Sequence, residues 1–102
     1  MTNGNEARIS VLMTHPVGLH ARPSVKLTKL AKSFASRIEL AVEEDGPWID
    51  AKSIVKVMAA KAPANRLLHL RASGTDASEA VTALADLVRR DFDEGAGDAA
   101  HG

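Results

Sequence analysis

Cysteine is absent from this chain of 102 residues, so neither a disulfide framework nor a thiolate metal site can form. Tyrosine is absent too, and with two Phe and one Trp there is little with which to stack the bases of single-stranded RNA. Neither sign of charge is in excess. The 13 Lys and Arg balance 13 Asp and Glu, which argues against bulk attraction to nucleic acid or a membrane surface and leaves room only for a local basic patch. No apolar run approaches the roughly 18 residues of a membrane span. The opening Met-Thr-Asn-Gly-Asn-Glu lacks the basic-then-apolar order of a secretory signal. These absences lead to the expectation of a soluble, cytoplasmic protein with no membrane insertion and no nucleic-acid partner.

What is present suffices for one modest core and not two. Residues 1–6 are polar and 1–7 are expected to be flexible, 8–93 hold the folded domain, and 94–102 (EGAGDAAHG) form a tail with too little apolar surface to order itself. Ile9, Val11 and Met13 alternate with polar neighbours, which predicts a strand over about Arg8 to Thr14. His15-Pro16-Val17-Gly18 interrupts it, because Pro cannot donate to a ladder and Gly marks a turn. Leu27, Leu30, Ala31 and Phe34 then fall on one helical face, with Pro23 in the first turn where its missing N–H is harmless.

Ile38, Leu40 and Val42 predict a second strand, Asp45-Gly46 a hairpin-type turn, and Pro47-Trp48-Ile49-Asp50 the start of the returning strand. Ser53 stands at the N-cap of a helix of about two turns that ends before Pro63. Leu68, Leu70 and Ala72 mark a fourth strand closed by Ser73-Gly74. Asp76-Ala77-Ser78-Glu79 reads as a capping box for a last helix, whose stripe is Val81, Leu84, Ala85 and Val88 and whose end falls near Asp93. The order β-α-β-β-α-β-α predicts an α+β, two-layer open-faced sandwich with the helices on one face of an antiparallel sheet.

One stretch carries more chemistry than a scaffold needs. Val17-Gly18-Leu19-His20-Ala21-Arg22-Pro23-Ser24 sets an imidazole and a guanidinium at the start of the first helix. The first amides of a helix lack carbonyl partners and its N-terminal end is positive, which makes an anion site. The same field, with Arg22 beside it, disfavours imidazolium and lowers the histidine pKa. A neutral imidazole is a nucleophile. If it took a phosphoryl group, amides and a guanidinium of matching geometry would already face the product. On chemistry alone, transient phosphorylation stands beside a plain loop or capping role for His20. A metal site on His15 and His20 is weaker, with no third ligand at suitable spacing.

The stretch Gly18-Leu19-His20-Ala21-Arg22-Pro23 resembles the active-site signature of the HPr family, the histidine-containing phosphocarriers of the bacterial phosphoenolpyruvate:sugar phosphotransferase system. Ala51-Lys52-Ser53-Ile54-Val55-Lys56-Val57-Met58 resembles that family's regulatory-serine signature, and the resemblance extends over roughly residues 8–93. It implies a four-stranded antiparallel sheet covered on one face by three helices. It also implies that His20 is the phosphoryl acceptor through Nδ1, that Arg22 stabilises the phosphate, and that the backbone amides of Ala21 and Arg22 face it. The implied partners are enzyme I as donor and IIA domains of enzyme II as acceptors. No cofactor is implied, the phosphoryl group deriving from phosphoenolpyruvate through enzyme I, and the expected state is a monomer.

Ser53 has two roles under this resemblance. As an N-cap it is worth about 1 kcal/mol. As a substrate of an HPr kinase/phosphorylase it would place about two negative charges at a helix N-terminus beside the docking surface. Ile54, Val55, Lys56 and Met58 match positions of the family's docking face, while Val57 is expected inward. Lys26, Lys29 and Lys32 recur off the core stripe of the first helix as a solvated or docking face.

Two departures from the family pattern stand out: Lys56 in place of a common Gly, and Lys61-Ala62-Pro63-Ala64-Asn65 in place of a Gly-containing loop, where Asn65 can supply a left-handed turn. Trp48 is expected as a packing anchor without chemistry. The alternative function is a regulatory HPr-like binding protein controlled through Ser53. The intact His20–Arg22 pair favours the carrier, in a sugar-uptake or nitrogen-related branch.

Overall fold

The computed structural model describes residues 5–14 and 21–93. Its elements follow in the order β1 (Glu6–Leu12), α1 (Ala21–Lys32), β2 (Arg37–Ala41), β3 (Ile49–Asp50), α2 (Ile54–Ala60), β4 (Leu67–Ser73), α3 (Ala77–Arg89) and a closing turn at Asp91–Asp93. The four strands make one antiparallel sheet in the order β1-β4-β2-β3. Three helices cover one face, as the element order and apolar patterning require. Among the described residues no helix is long and apolar enough to cross a membrane.

Alternation sorts each strand's side chains to two faces. Val11, Ile38, Leu40, Leu68, Leu70 and Ala72 point to the helices and are buried, joined by Leu27 and Ala31 of α1, Val57 of α2, and Ala80, Val81, Leu84, Ala85 and Val88 of α3. The open face carries the other parity. Arg8 pairs with Arg71, Ser10 with His69 and Leu12 with Leu67 across β1–β4, while Glu39 of β2 pairs with Arg71. Two arginines directly opposite one another repel. Here Glu39 takes Arg71 at 2.8 Å, and the Trp48 ring lies 4.1 Å from the Arg71 guanidinium carbon and 5.2 Å from that of Arg8. Each such cation–π contact at a half-exposed site contributes about 0.5–1 kcal/mol. Trp48 is therefore an anchor of the open face, built from guanidinium groups, and not of the apolar core.

Several expected boundaries move. β1 starts two residues earlier than its apolar alternation suggests and ends at Leu12, though Met13 stays in register through bonds to Arg66 and Asn65. β2 stops at Ala41, leaving Val42 beyond it, and the hairpin with β3 has only two pairs. α1 ends at Lys32, so Phe34 packs on the core from the loop. α3 ends at Arg89 rather than near Asp93, because Asp91, Phe92 and Asp93 turn left-handed with φ of 54, 57 and 59°. That conformation costs roughly 1–2 kcal/mol per non-glycine residue. Complete burial of the Phe92 ring offsets part of it.

The expected capping box is not formed. Asp76 stands at the N-cap of α3 but makes no cap bond with its side chain. Its carboxylate instead accepts the Ala35 and Ser36 amides, each at 2.9 Å, and the Ser36 hydroxyl. These bonds, the Ser36 hydroxyl first, hold the Asp76 carboxyl below its usual pKa. The α1–β2 connection is thereby stitched to the β4–α3 connection. Gly74 permits the close approach, since a Cβ there would lie 2.8 Å from the Ser36 Cα.

Candidate functional site

α1 begins at Ala21, so Ala21 and Arg22, both exposed, are its first two residues. Their amides belong to the set that no helical carbonyl can reach. No acidic residue occupies the first turn, so the positive end of the helix meets no carboxylate of its own. Pro23 and Ser24 are buried beneath this turn and fix it to the fold. The Ser24 and Thr28 hydroxyls, one turn apart on the inward face, have no hydrogen-bond partner among the described residues. His15, Pro16, Val17, Gly18, Leu19 and His20 lie outside the described residues. What is on view is the entry into that segment at Thr14 and the helix that follows it.

Ser53 is set by a local turn. The Asp50 carboxylate accepts the Lys52 amide at 2.9 Å, and the Ser53 amide donates to the Asp50 carbonyl at 3.1 Å. Ser53 is left extended, with φ −103° and ψ 110°, and its Oγ accepts the Lys56 amide at 3.3 Å. This is the expected N-cap. At the other end Lys61 turns left-handed at φ 51°, donating its amide to the Met58 carbonyl at 3.2 Å. Asn65 also turns left-handed, as its position in the glycine-free loop suggests.

The apolar residues of α2 divide as their spacing predicts. Val57 is fully buried, Ile54 is half-buried, and Val55 and Met58 are 74% and 41% exposed. Lys56 is exposed beside them. α1 packs against α2, and its Val25 is 52% exposed, an apolar surface position that the helical stripe gave no reason to single out. Lys29 and Lys32 are exposed, whereas Lys26 is not simply solvated: its Nζ donates to the Phe92 carbonyl at 2.8 Å.

An open cavity of about 920 Å³ lies between the β2–β3 hairpin and α2 and includes Leu40, Trp48, Ile49, Lys52 and Lys56. No residue of α1 lines it, so it is separate from the helix end where the phosphate chemistry is expected. A helix N-terminus with an arginine binds and stabilises a transferred anion without needing an enclosed cavity.

Over residues 7–90 the chain matches the family described as the PTS HPr component phosphorylation site. It is similar to the phosphocarrier protein HPr of Cupriavidus necator, with 42% identity over 79 residues that cover 78% of this chain and 86% of that one. A multiphosphoryl transfer protein of Vibrio cholerae is 39% identical over 79 residues, which are 76% of this chain and 20% of that much longer protein. Among solved structures, HPr-C-His from Thermoanaerobacter tengcongensis superposes with a TM-score of 0.79 at 33% identity, covering 86% of this chain and 97% of that one.

Proposed function

This chain belongs to the HPr family of phosphotransferase-system phosphocarriers, and we propose that it carries the phosphoryl group on Nδ1 of His20. The donor in this reading is phospho-enzyme I and the acceptors are IIA domains. In each step the P–N bond of the donor histidine breaks as a P–N bond to the acceptor histidine forms. The group passes in line, so positioning and charge stabilisation do most of the catalytic work. His20 immediately precedes Ala21, so its phosphoryl oxygens would face the backbone amides of Ala21 and Arg22 at the helix N-terminus and the Arg22 guanidinium. A phosphoramidate keeps a high transfer potential, which suits a carrier and not a store.

The observation that supports this reading most is the coincidence of two independent facts. A family match whose description names a phosphorylation site spans residues 7–90, and α1 begins at Ala21, the residue after the histidine of the Gly18–Pro23 stretch. Exposed Val55, Lys56 and Met58, with half-buried Ile54, supply a docking surface for enzyme I and IIA domains, which the zero net charge leaves to local contacts.

A second reading concerns Ser53. As the cap of α2 it stands next to Lys52 and one turn from Lys56, so a phosphate added by an HPr kinase/phosphorylase would meet a helix N-terminus and basic side chains. It would also change the charge beside Val55 and thereby partner choice.

The test is incubation with enzyme I, Mg²⁺ and phosphoenolpyruvate, followed by intact mass before and after acid. The expected result is an acid-labile gain of one phosphate that His20→Ala abolishes. A folded protein that takes no phosphate from enzyme I sinks the carrier reading and leaves Ser53 control as the function.

A further inference from the structure

Three arginines share the sheet face that the helices leave open. Arg8 of β1, Arg37 of β2 and Arg71 of β4 line one groove of about 390 Å³, together with Glu6, Glu39 and Ser73. β4 lies between β1 and β2, so Arg71 and Ser73 form the floor and the other residues the two banks. Arg71 is fixed in place: its Nε donates to Glu39 Oε1 at 2.8 Å, and the Trp48 ring lies 4.1 Å from its guanidinium carbon. Its two Nη groups have no acceptor among the described residues. Arg8, directly opposite Arg71, shares the same indole at 5.2 Å. Arg8 and Arg37 are exposed, and neither makes an ion pair among the described residues.

Three guanidinium groups against the Glu6 and Glu39 carboxylates leave this groove with a net charge of +1. Glu39 is spent on Arg71, and Glu6 stands at one end of the β1 bank, opposite Ser73. Like charges set directly across a ladder repel, and an anion bridging Arg8 and Arg71 removes that cost. We propose that the groove binds the phosphate group of a small phosphate monoester. Donors come from three sides: Arg8, Arg37, and the Arg71 Nη groups with the Ser73 hydroxyl below. A tetrahedral phosphate offers oxygens in all three directions, whereas a carboxylate offers two in one plane. A guanidinium already held by an aromatic face and a carboxylate loses little freedom on binding. The site lies on the opposite side of the sheet from α1 and α2, so its ligand leaves the helical surface uncovered.

The experiment titrates inorganic phosphate, and in parallel phenyl phosphate and succinate, into the isotope-labelled full chain without enzyme I or phosphoenolpyruvate. Amide and indole N–H shifts are followed by NMR. The chain has one tryptophan, so a single indole signal reports on this groove. Phosphate and phenyl phosphate are expected to shift Arg8, Arg71, Ser73 and the Trp48 indole with one common midpoint for each ligand, and succinate to bind at least about tenfold more weakly. Ala21 and Arg22, at the N-terminus of α1, are expected to follow a midpoint of their own. Arg8→Gln and Arg37→Gln should each weaken binding at the open face by about tenfold or more and leave the Ala21 and Arg22 midpoint unchanged. Glu6→Gln, which removes an opposing charge, should tighten it. Arg37 is outside the Trp48 anchor, so Arg37→Gln gives the answer even if Arg8→Gln loosens the fold.

Shifts confined to Ala21 and Arg22 would overturn the site, as would open-face shifts that do not saturate. So would a midpoint that Arg37→Gln leaves unmoved in a protein whose circular dichroism matches the parent. Succinate binding as tightly as phosphate would overturn the assignment to a phosphate group.

Discussion

Gly74→Ala tests the close packing between the two connections at the bottom of the fold. Gly74 has φ +146°, and a Cβ there would sit 2.5 Å from Ser36 Oγ, 2.8 Å from Ser36 Cα and 2.9 Å from Ser36 Cβ. A hydroxyl can rotate away; a backbone Cα cannot. Holding a side-chain-bearing residue at that φ costs about 1–3 kcal/mol, and forcing the neighbouring backbone aside adds about 1–3 kcal/mol in the manner of overpacking. The sum, about 2–6 kcal/mol, is a large part of the roughly 5–15 kcal/mol by which a domain of this size is stable.

Urea unfolding followed by circular dichroism gives the difference directly, and the thermal midpoint should fall by about 10 °C or more. Displacing Ser36 also breaks its bonds to Asp76. For that reason Gly74→Ala and Ser36→Ala together should cost less than their separate costs added, as expected for neighbours that share partners. A Gly74→Ala protein within about 1 kcal/mol of the parent, or strict additivity with Ser36→Ala, would refute the steric account. The two connections would then not be packed as closely as these distances require.

Two further outcomes follow from local geometry. Asp76 titrates below its usual range when folded, so its contribution to stability is present above the unfolded pKa of 3.8 and is lost as pH falls through the lower folded value. Asp76→Asn should therefore flatten the acid limb of a stability–pH curve below about pH 4, and an unchanged limb would count against the Ser36 and Ala35 bonds. Lys61→Gly removes a Cβ from a left-handed cap at φ 51° and should raise stability by about 1 kcal/mol. A fall in the urea midpoint would show that the lysine side chain contributes more than its backbone strain.

Much of the architecture was legible in the sequence because it rests on period. Ile38, Leu40, Leu68, Leu70 and Ala72 alternate and are buried, and Val81, Leu84, Ala85 and Val88 recur at helical spacing and face the same core. Ser53 was legible as a cap because capping is local, decided within four residues.

What escaped depends on residues far apart in the chain. Asp76 looks like a capping residue until the Ser36 loop, forty positions earlier, takes its carboxylate. Nothing around Asp91-Phe92-Asp93 announces a left-handed turn, since no glycine is present and the cause is a buried ring. The end of α3 was misplaced for that reason. Trp48 pairs with arginines on two other strands, and no spacing encodes that. In the candidate site the motif is readable and the helix start agrees with it, while the bonds of Thr14 and Lys26 to the Asp91–Asp93 turn join residues too far apart in the chain for any spacing to encode.

The sheet order also sets a timetable for synthesis. Among the described residues β1 pairs only with β4, the last of the four strands, so β1 has no sheet partner until Leu67–Ser73 has been made. The one pairing between consecutive strands, β2 with β3, has two rungs and cannot stand alone in water. Closing the β1–β4 ladder means bringing together segments about sixty residues apart, such as Ser10 and His69, before any of its bonds are gained. Assembly of the sheet thus waits until β4, ending at Ser73, has been made. A nascent fragment ending after α2 would lack β4, and with it the strand that joins β1 to β2.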